Sequence, residues 1–319
     1  MTVVDITPPL TDEVEEENPL SAGWGRKLLI AVPYLWLLVF FLAPFIIVLK
    51  ISFSDVVLAR PPYFPNFDIS EGWSGLVAMF QAFDLENYLW LTGDALYWKS
   101  YLSSLKVASI STLITLLIGY PIAYSMAKAP REWRATLLML IILPFWTSFL
   151  IRVYAWIGIL KKEGFLNHFL LWAGAIDEPL MILNTDTAVY IGIVYSYLPF
   201  MVLPLYAVLE KLEVSLLEAA TDLGCSPLKA FWVITLPLSL SGVWAGCFLV
   251  FIPAVGEFVI PDILGGSSTI MIGKTLWVEF FSNRDWPVAS AVAILLLFML
   301  ILPIVLFQKQ QEKHAEASQ

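Results

Sequence analysis

Cysteine and histidine are almost missing from this 319-residue chain, which has only Cys225, Cys247, His168 and His314. Two cysteines cannot frame a disulfide scaffold, and so few ligands this far apart make no zinc site. Charge is equally thin: 14% of residues are acidic or basic and 59% are apolar, whereas a soluble domain is about a quarter charged and half apolar. A soluble enzyme is not expected. Positive charge is the scarcer sign, with 18 Lys and Arg against 27 Asp and Glu for a formal net charge of −9. That balance excludes a nucleic-acid binder working through a basic face. With one histidine on each side of a membrane, no Ser, His and Asp triad can be assembled, and no paired His and Glu supports metal-assisted hydrolysis. Gly273-Lys274-Thr275 ends like a phosphate-binding loop, but position 268 is Ser where the G-x-x-x-x-G-K-[ST] cradle needs Gly. The chain is expected to catalyse nothing and to hold no cofactor or metal.

What the chain has instead is long apolar runs, each close to the roughly twenty residues that cross about 30 Å of hydrocarbon. Hydropathy windows place spans at Leu28 to Leu49, Leu105 to Ala127, Thr136 to Leu160, Thr187 to Leu209, Thr235 to Glu257 and Pro287 to Phe307. The expected fold is an all-α membrane protein with six transmembrane helices and both termini on one side. Arg152 interrupts the third span, and the apolar stretch from Phe165 to Ile176 is too short to cross and reads as interfacial. Segments 1–27, 128–135, 210–234 and 308–319 hold 9 Lys and Arg in 72 residues, while the other segments between spans hold 7 in 110. The positive-inside rule therefore places the first set, with both termini, in the cytoplasm.

Residues 1–27 are expected to be a largely disordered cytoplasmic arm, because Glu15, Glu16 and Glu17 are too polar to bury and no basic start or cleavage site marks a signal peptide. The first span, 28–49, then inserts with Arg26 and Lys27 at its inner end. Residues 50–100 form an outer loop with Pro61, Pro62 and Pro65 followed by Trp73, Tyr88, Trp90, Tyr97 and Trp98. Such a loop docks a partner or caps a pore, and an aromatic belt at the water interface explains the same residues. The main body, 101–307, is followed by a cytoplasmic tail, 308–319.

The most specific pattern is the loop 210–237. It reads Glu218-Ala219-Ala220, three residues, Gly224, nine residues, Ile234, one residue, Leu236-Pro237. Leu209, Leu212, Leu216, Ala219, Ala220 and Leu223 recur at helical spacing, opposite Glu210, Lys211, Glu213 and Asp222. One amphipathic helix over Leu209 to Leu223 is expected, ended by a left-handed Gly224, with Pro237 in the first turn of the next membrane helix.

At every defined position this spacing matches the EAA motif, E-A-A-x3-G-x9-I-x-L-P. The chain from about Gly25 to Phe307 resembles the PotH-type permeases of bacterial putrescine (polyamine) ABC transporters, and from Tyr101 onward the type I (MetI-like) ABC importer permease fold. The polyamine branch is marked by the segments at 144–152, 199–204, 253–258 and 283–287. The resemblance implies a permease subunit of the bacterial inner membrane, not itself an enzyme. Its partners would be a second homologous permease, two copies of a cytoplasmic ABC ATPase and a periplasmic polyamine-binding protein, with membrane lipid around it and no nucleic acid. It further implies that the EAA helix docks in a groove of the ATPase. Glu218 would face a basic residue there, Ala219 and Ala220 would let the helix seat closely, and Gly224 would aim the following segment.

Lys106, Arg152 and Glu257 are the ionisable residues inside the expected spans, and such groups are usually paired or functional. Lys106 lies at an outer end and can snorkel. Arg152 and Glu257 admit two readings: a structural ion pair, or a cation-selective outer gate in which Arg152 is the closed-state counter-charge. Leaving Glu257 aside, the outer segments hold 13 acids and 7 bases, which would concentrate a dication at the entrance. Trp146, Tyr154, Trp156, Tyr195 and Tyr197 could wall a cation-π site for an alkylammonium, or serve as lipid-facing and core rings. Gly242 and Gly246 permit close helix approach, either within the chain or, the favoured reading, against the sister permease. Two rivals stand beside this reading: the same ABC architecture with another cargo, such as spermidine or an anion, and a secondary transporter acting alone, whose repeated halves and mid-membrane acids are not seen.

Overall fold

The computed structural model describes residues 26–66 and 72–317; the acidic arm expected over 1–27 lies almost wholly outside the described residues. The first unit holds α1 (Arg26–Leu37), a π turn (Leu38–Leu42) and α2 (Ala43–Ile51). Together they make one apolar helix over Lys27–Ile51, 25 residues long, which contains the expected first span.

The second unit begins at Ser52. A short antiparallel hairpin, β1 (Asp55–Val56) and β2 (Tyr63–Phe64), leads to α3 (Gly72–Gln81) and α4 (Glu86–Gly93). The Asn87 amide ties α4 back to the hairpin by donating to the backbone oxygens of Ser52 and Ser54 at 3.1 and 2.8 Å. Of the outer-loop aromatics, Tyr97 is buried and donates to Glu279 at 2.9 Å, whereas Trp73 is exposed.

Three long helices make the core: α5 (Ala95–Lys128), α9 (Asp186–Leu209) and α12 (Leu236–Val255). Met201 of α9, fully buried, is where they converge. A Cβ on Gly119 of α5 would stand 2.9 Å from its Cγ, and one on Gly246 of α12 would stand 2.7 Å from its Sδ. Gly242 of α12 likewise abuts the Pro204 carbonyl. The glycine pair that the sequence favoured for a sister permease is thus spent on packing α12 against α9, because only a missing side chain lets the two backbones come this close.

The expected third span, Thr136 to Leu160, is not one helix. α6 (Arg131–Ile142) runs into a 3₁₀ turn (Leu143–Trp146), and α7 (Phe149–Leu160) with α8 (Phe165–Trp172) departs at a 90° bend. Pro144 lacks the N–H that would continue the ladder, and Thr147 and Ser148 are extended. The Thr147 hydroxyl and amide turn back onto the Pro144 carbonyl at 2.8 and 3.3 Å and seal the break.

After α9 come α10 (Val214–Asp222), α11 (Pro227–Ala230), a π turn (Phe231–Thr235) and α12. Pro227 to Val255 is one apolar helix of 29 residues, so the fifth span starts before the expected Thr235 and ends just short of Glu257. The π turn precedes Pro237, whose nitrogen has no hydrogen to donate. α13 (Val259–Leu264), α14 (Ile272–Trp277) and a second π turn (Val278–Asn283) lead to α15 (Trp286–Ala317). Among the described residues four helices are long and apolar enough to cross a bilayer, five with the bent pair taken as one. α15 contains the expected sixth span, and its apolar part among the described residues is Trp286–Ile301.

Candidate functional site

Two places collect the residues singled out in the sequence. At the first, α10 hangs between the ends of α9 and α11. The expected helix over Leu209 to Leu223 is broken at Glu210 to Glu213, because α9 ends at Leu209 and α10 starts only at Val214. Leu209 and Leu212 keep the helical spacing because they pack in the cluster of Tyr120, Met126, Met201 and Tyr206. Glu210 pairs with Arg134 of α6 at 3.1 Å. Its carboxyl is held below the usual range first by the Tyr206 hydroxyl and then by Arg134.

Gly224 ends α10 as expected, with φ +78°. The Cys225 amide donates to the Ala220 carbonyl and the Gly224 amide to the Thr221 carbonyl, both at 2.9 Å, the paired bonds of a Schellman ending. Glu218 and Ala219 are exposed, Ala220 is buried, and Glu218 makes no ion pair among the described residues. Val214, Leu223 and Leu228 are 66, 89 and 71% exposed on a segment that also bears Glu213, Glu218 and Lys229. Ile234 lies in the π turn, half-buried, and Pro237 is exposed. Leu236 and Phe231 pack into the same cluster, with Phe231 edge-on to Tyr120 at 5.6 Å. The first half of the motif is therefore free apart from the buried Ala220, and the second half is rooted through Phe231 and Leu236.

At the second place, Glu257 follows the end of α12 and is buried. It does not pair with Arg152, since the ion pairs among the described residues are Arg134–Glu210 and Lys274–Asp262. Its carboxylate accepts instead from the Tyr197 hydroxyl at 2.5 Å and from the amides of Val259 and Ile260 at 3.0 and 3.4 Å. Those amides are the unsatisfied first turn of α13, where a negative group is favoured. The ion-pair reading fails because these donors take up the carboxylate.

Arg152, on α7, lies over two rings, its guanidinium carbon 5.2 Å from the Phe145 centroid and 5.9 Å from that of Phe149. Phe145 is edge-on to Phe200 at 5.2 Å, and Phe200 stands 6.0 Å from Tyr197. Trp156 and Tyr195 meet edge-on at 5.3 Å, whereas Tyr154 is exposed. Sequence reasoning missed Phe145 and Phe149; their spacing of seven and three residues before Arg152 was the available signal. Gly273-Lys274-Thr275 serves packing: Lys274 pairs with Asp262 at 3.2 Å, the Thr275 hydroxyl meets Ser100 at 3.1 Å, and Gly273 lies against the Gly256 carbonyl. Beside the hairpin, Asp55, Asp84 and Glu86 bring exposed carboxylates within 4.8 Å of one another, and the Asp55 carboxyl is pushed up by partial burial and then by Asp84.

A glycine-packed helical core, a broken span and a free amphipathic loop helix define a multi-pass permease of the MetI-like fold. Residues 116–313 match the family described as the inner membrane component of binding-protein-dependent transport systems, and the chain belongs to that family. It is 47% identical over 225 residues, 70% of the chain and 82% of the relative, to the Escherichia coli spermidine/putrescine transport system permease protein PotB. With the Haemophilus influenzae protein of the same name it shares 41% over 286 residues, 89% of the chain and 93% of the relative. Among solved structures it is similar in fold to a bacterial ABC transporter involved in import of the acidic polysaccharide alginate. The TM-score there is 0.65 at 15% identity, covering 91% of this chain and 96% of the other. The family is a transport component of the inner membrane, as the sequence led one to expect.

Proposed function

We propose that the chain is the permease subunit of an ATP-driven importer that carries a polyamine across the bacterial inner membrane, with putrescine as its cargo. The observation that carries this reading is 41% identity along 89% of the chain to a permease named for spermidine and putrescine. That name also favours a second reading of the cargo, spermidine. In this reading the termini are cytoplasmic, a second homologous permease completes the pore, two ATPase copies bind below, and a periplasmic binding protein delivers the polyamine.

The coupling residues are Glu218, Ala219, Ala220 and Gly224 on the free side and Ile234, Leu236 and Pro237 on the rooted side. An ATPase gripping the exposed apolar residues of α10 pulls on two elements at once, α9 through Glu210 to Glu213 and α12 through α11. The energy comes from the partner, and the permease offers two pore states between which the bound ATPase and binding protein shift the population. Glu257, Arg152, Trp156, Tyr154 and Tyr195 line the proposed cargo route. The test is uptake of labelled putrescine and spermidine into vesicles holding the permease pair, the ATPase and the loaded binding protein. ATP-dependent accumulation is expected, and accumulation without the ATPase would overturn the coupled mechanism.

A further inference from the structure

We infer that the Arg152 guanidinium is a tethered stand-in for a cargo ammonium: it fills the cation seat made by Phe145 and Phe149 and keeps that seat closed to free cations until cargo passes. The inference rests on the polyamine reading and adds a residue and a seat to it. Both rings lie within the roughly 6 Å at which a cation is drawn to an aromatic face. A charge in an apolar helical segment is costly and ordinarily carries a partner, yet Arg152 has no carboxylate partner among the described residues and its Nε is buried without a hydrogen bond. The two ring faces are the side-chain contacts shown for its guanidinium among the described residues. Glu257, the buried carboxylate reached from the same rings, is already satisfied by Tyr197 and two amides.

The seat is also connected. From Phe145 the ring contacts continue to Phe200 and Tyr197, and the Tyr197 hydroxyl ends on Glu257. An alkylammonium displacing Arg152 meets the same two ring faces, and its next amine lies toward a row of rings that leads to a buried acid. A guanidinium and an ammonium compete for one seat, so removing the first leaves the route open to small cations.

The experiment uses the complete importer in liposomes, without ATP, loaded with tetramethylammonium in one set and putrescine in another. Arg152→Gln is expected to speed efflux of both by roughly two- to thirtyfold, the span that cation-π contacts command. Phe145→Leu should do the same, while Arg152→Lys and Phe145→Tyr should stay as tight as the unaltered protein. A tight Arg152→Gln importer that still accumulates cargo with ATP overturns the inference. So does a leak in Arg152→Gln with none in Phe145→Leu, because the guanidinium would then act through a carboxylate on the sister permease. Should the unaltered importer fail to accumulate polyamines with ATP, the polyamine reading falls, and the tetramethylammonium set still reports on the seat.

Discussion

Tyr197 and Glu257, sixty residues apart, share a 2.5 Å hydrogen bond that ties the middle of α9 to the turn between α12 and α13. The carboxylate is held by this hydroxyl on one side and by the first amides of α13 on the other. Neither partner is a cation, and Glu257 has no ion-pair partner among the described residues. A buried acid of this kind gives selectivity only while its charge persists.

Glu257→Gln removes that charge and keeps the shape. We expect putrescine uptake by the complete importer to fall about tenfold or more, since hydrogen bonds to a charged group contribute about 1.5–3 kcal/mol. Tyr197→Phe should lower uptake less, because the α13 amides still hold the carboxylate. In the double variant the two losses should not add, as the residues share one bond. Uptake in Glu257→Gln equal to that of the unaltered protein would return the residue to a purely structural role.

Glu218→Ala leaves α10 folded, because the side chain is exposed and makes no ion pair among the described residues. Transport should nevertheless be abolished with membrane insertion intact. Gly224→Val should give the same outcome by another route: at φ +78° a β-branched residue costs about 1–3 kcal/mol and misdirects the turn into α11. ATPase stimulation by the loaded binding protein is the measurement. Stimulation without uptake in either variant would separate docking from force transmission, and unchanged uptake would count against the proposed coupling role of α10.

These elements differ in how far the sequence reveals them. The spans around α5, α9 and α12 are legible because hydropathy sums over twenty residues and tolerates errors at each end. The break at Thr147 and Ser148 is less legible, since Pro144 alone is compatible with a kinked continuous helix. The EAA helix is misread at its start because Leu209 and Leu212 keep the same spacing while serving the end of α9. Gly224, by contrast, is fully legible, since its conformation is a local property of the chain. Arg152 against Phe145 and Phe149, and Tyr197 against Glu257, depend on how a bend or a pair of helices is oriented, which periodicity does not encode.

Gly246→Val tests whether the glycine pair belongs to the chain's own core. The new side chain would meet Met201 at its sulfur and its backbone, with a Cβ 2.7 Å from Sδ and 3.1 Å from the carbonyl oxygen. Overpacking of this kind costs about 1–3 kcal/mol, so the thermal midpoint of the purified protein should drop. Met201→Ala in the same chain should recover part of the loss. An unchanged midpoint would place Gly246 outside the chain's own core.

The Arg134–Glu210 pair fastens α6 to the segment between α9 and α10, and its pH dependence has a definite sign. The Glu210 carboxyl is depressed in the folded protein by the Tyr206 hydroxyl first and then by Arg134 and Arg131. A depressed carboxyl contributes stability that is fully present above its unfolded value, about 4.3, and is lost as pH falls through the lower folded value. Both side chains are substantially exposed, so solvent and salt screen the effect and it is small. Unfolding curves for the unaltered protein and Glu210→Gln should therefore be separated at pH 7 and converge below pH 4. High salt should narrow the gap only in part, because the influence of the Tyr206 hydroxyl on the carboxyl is local and less screened than that of the arginines. A gap that widened on acidification would mean that the carboxylate is a burden to the fold, and α10 would then be anchored by the Phe231 cluster alone.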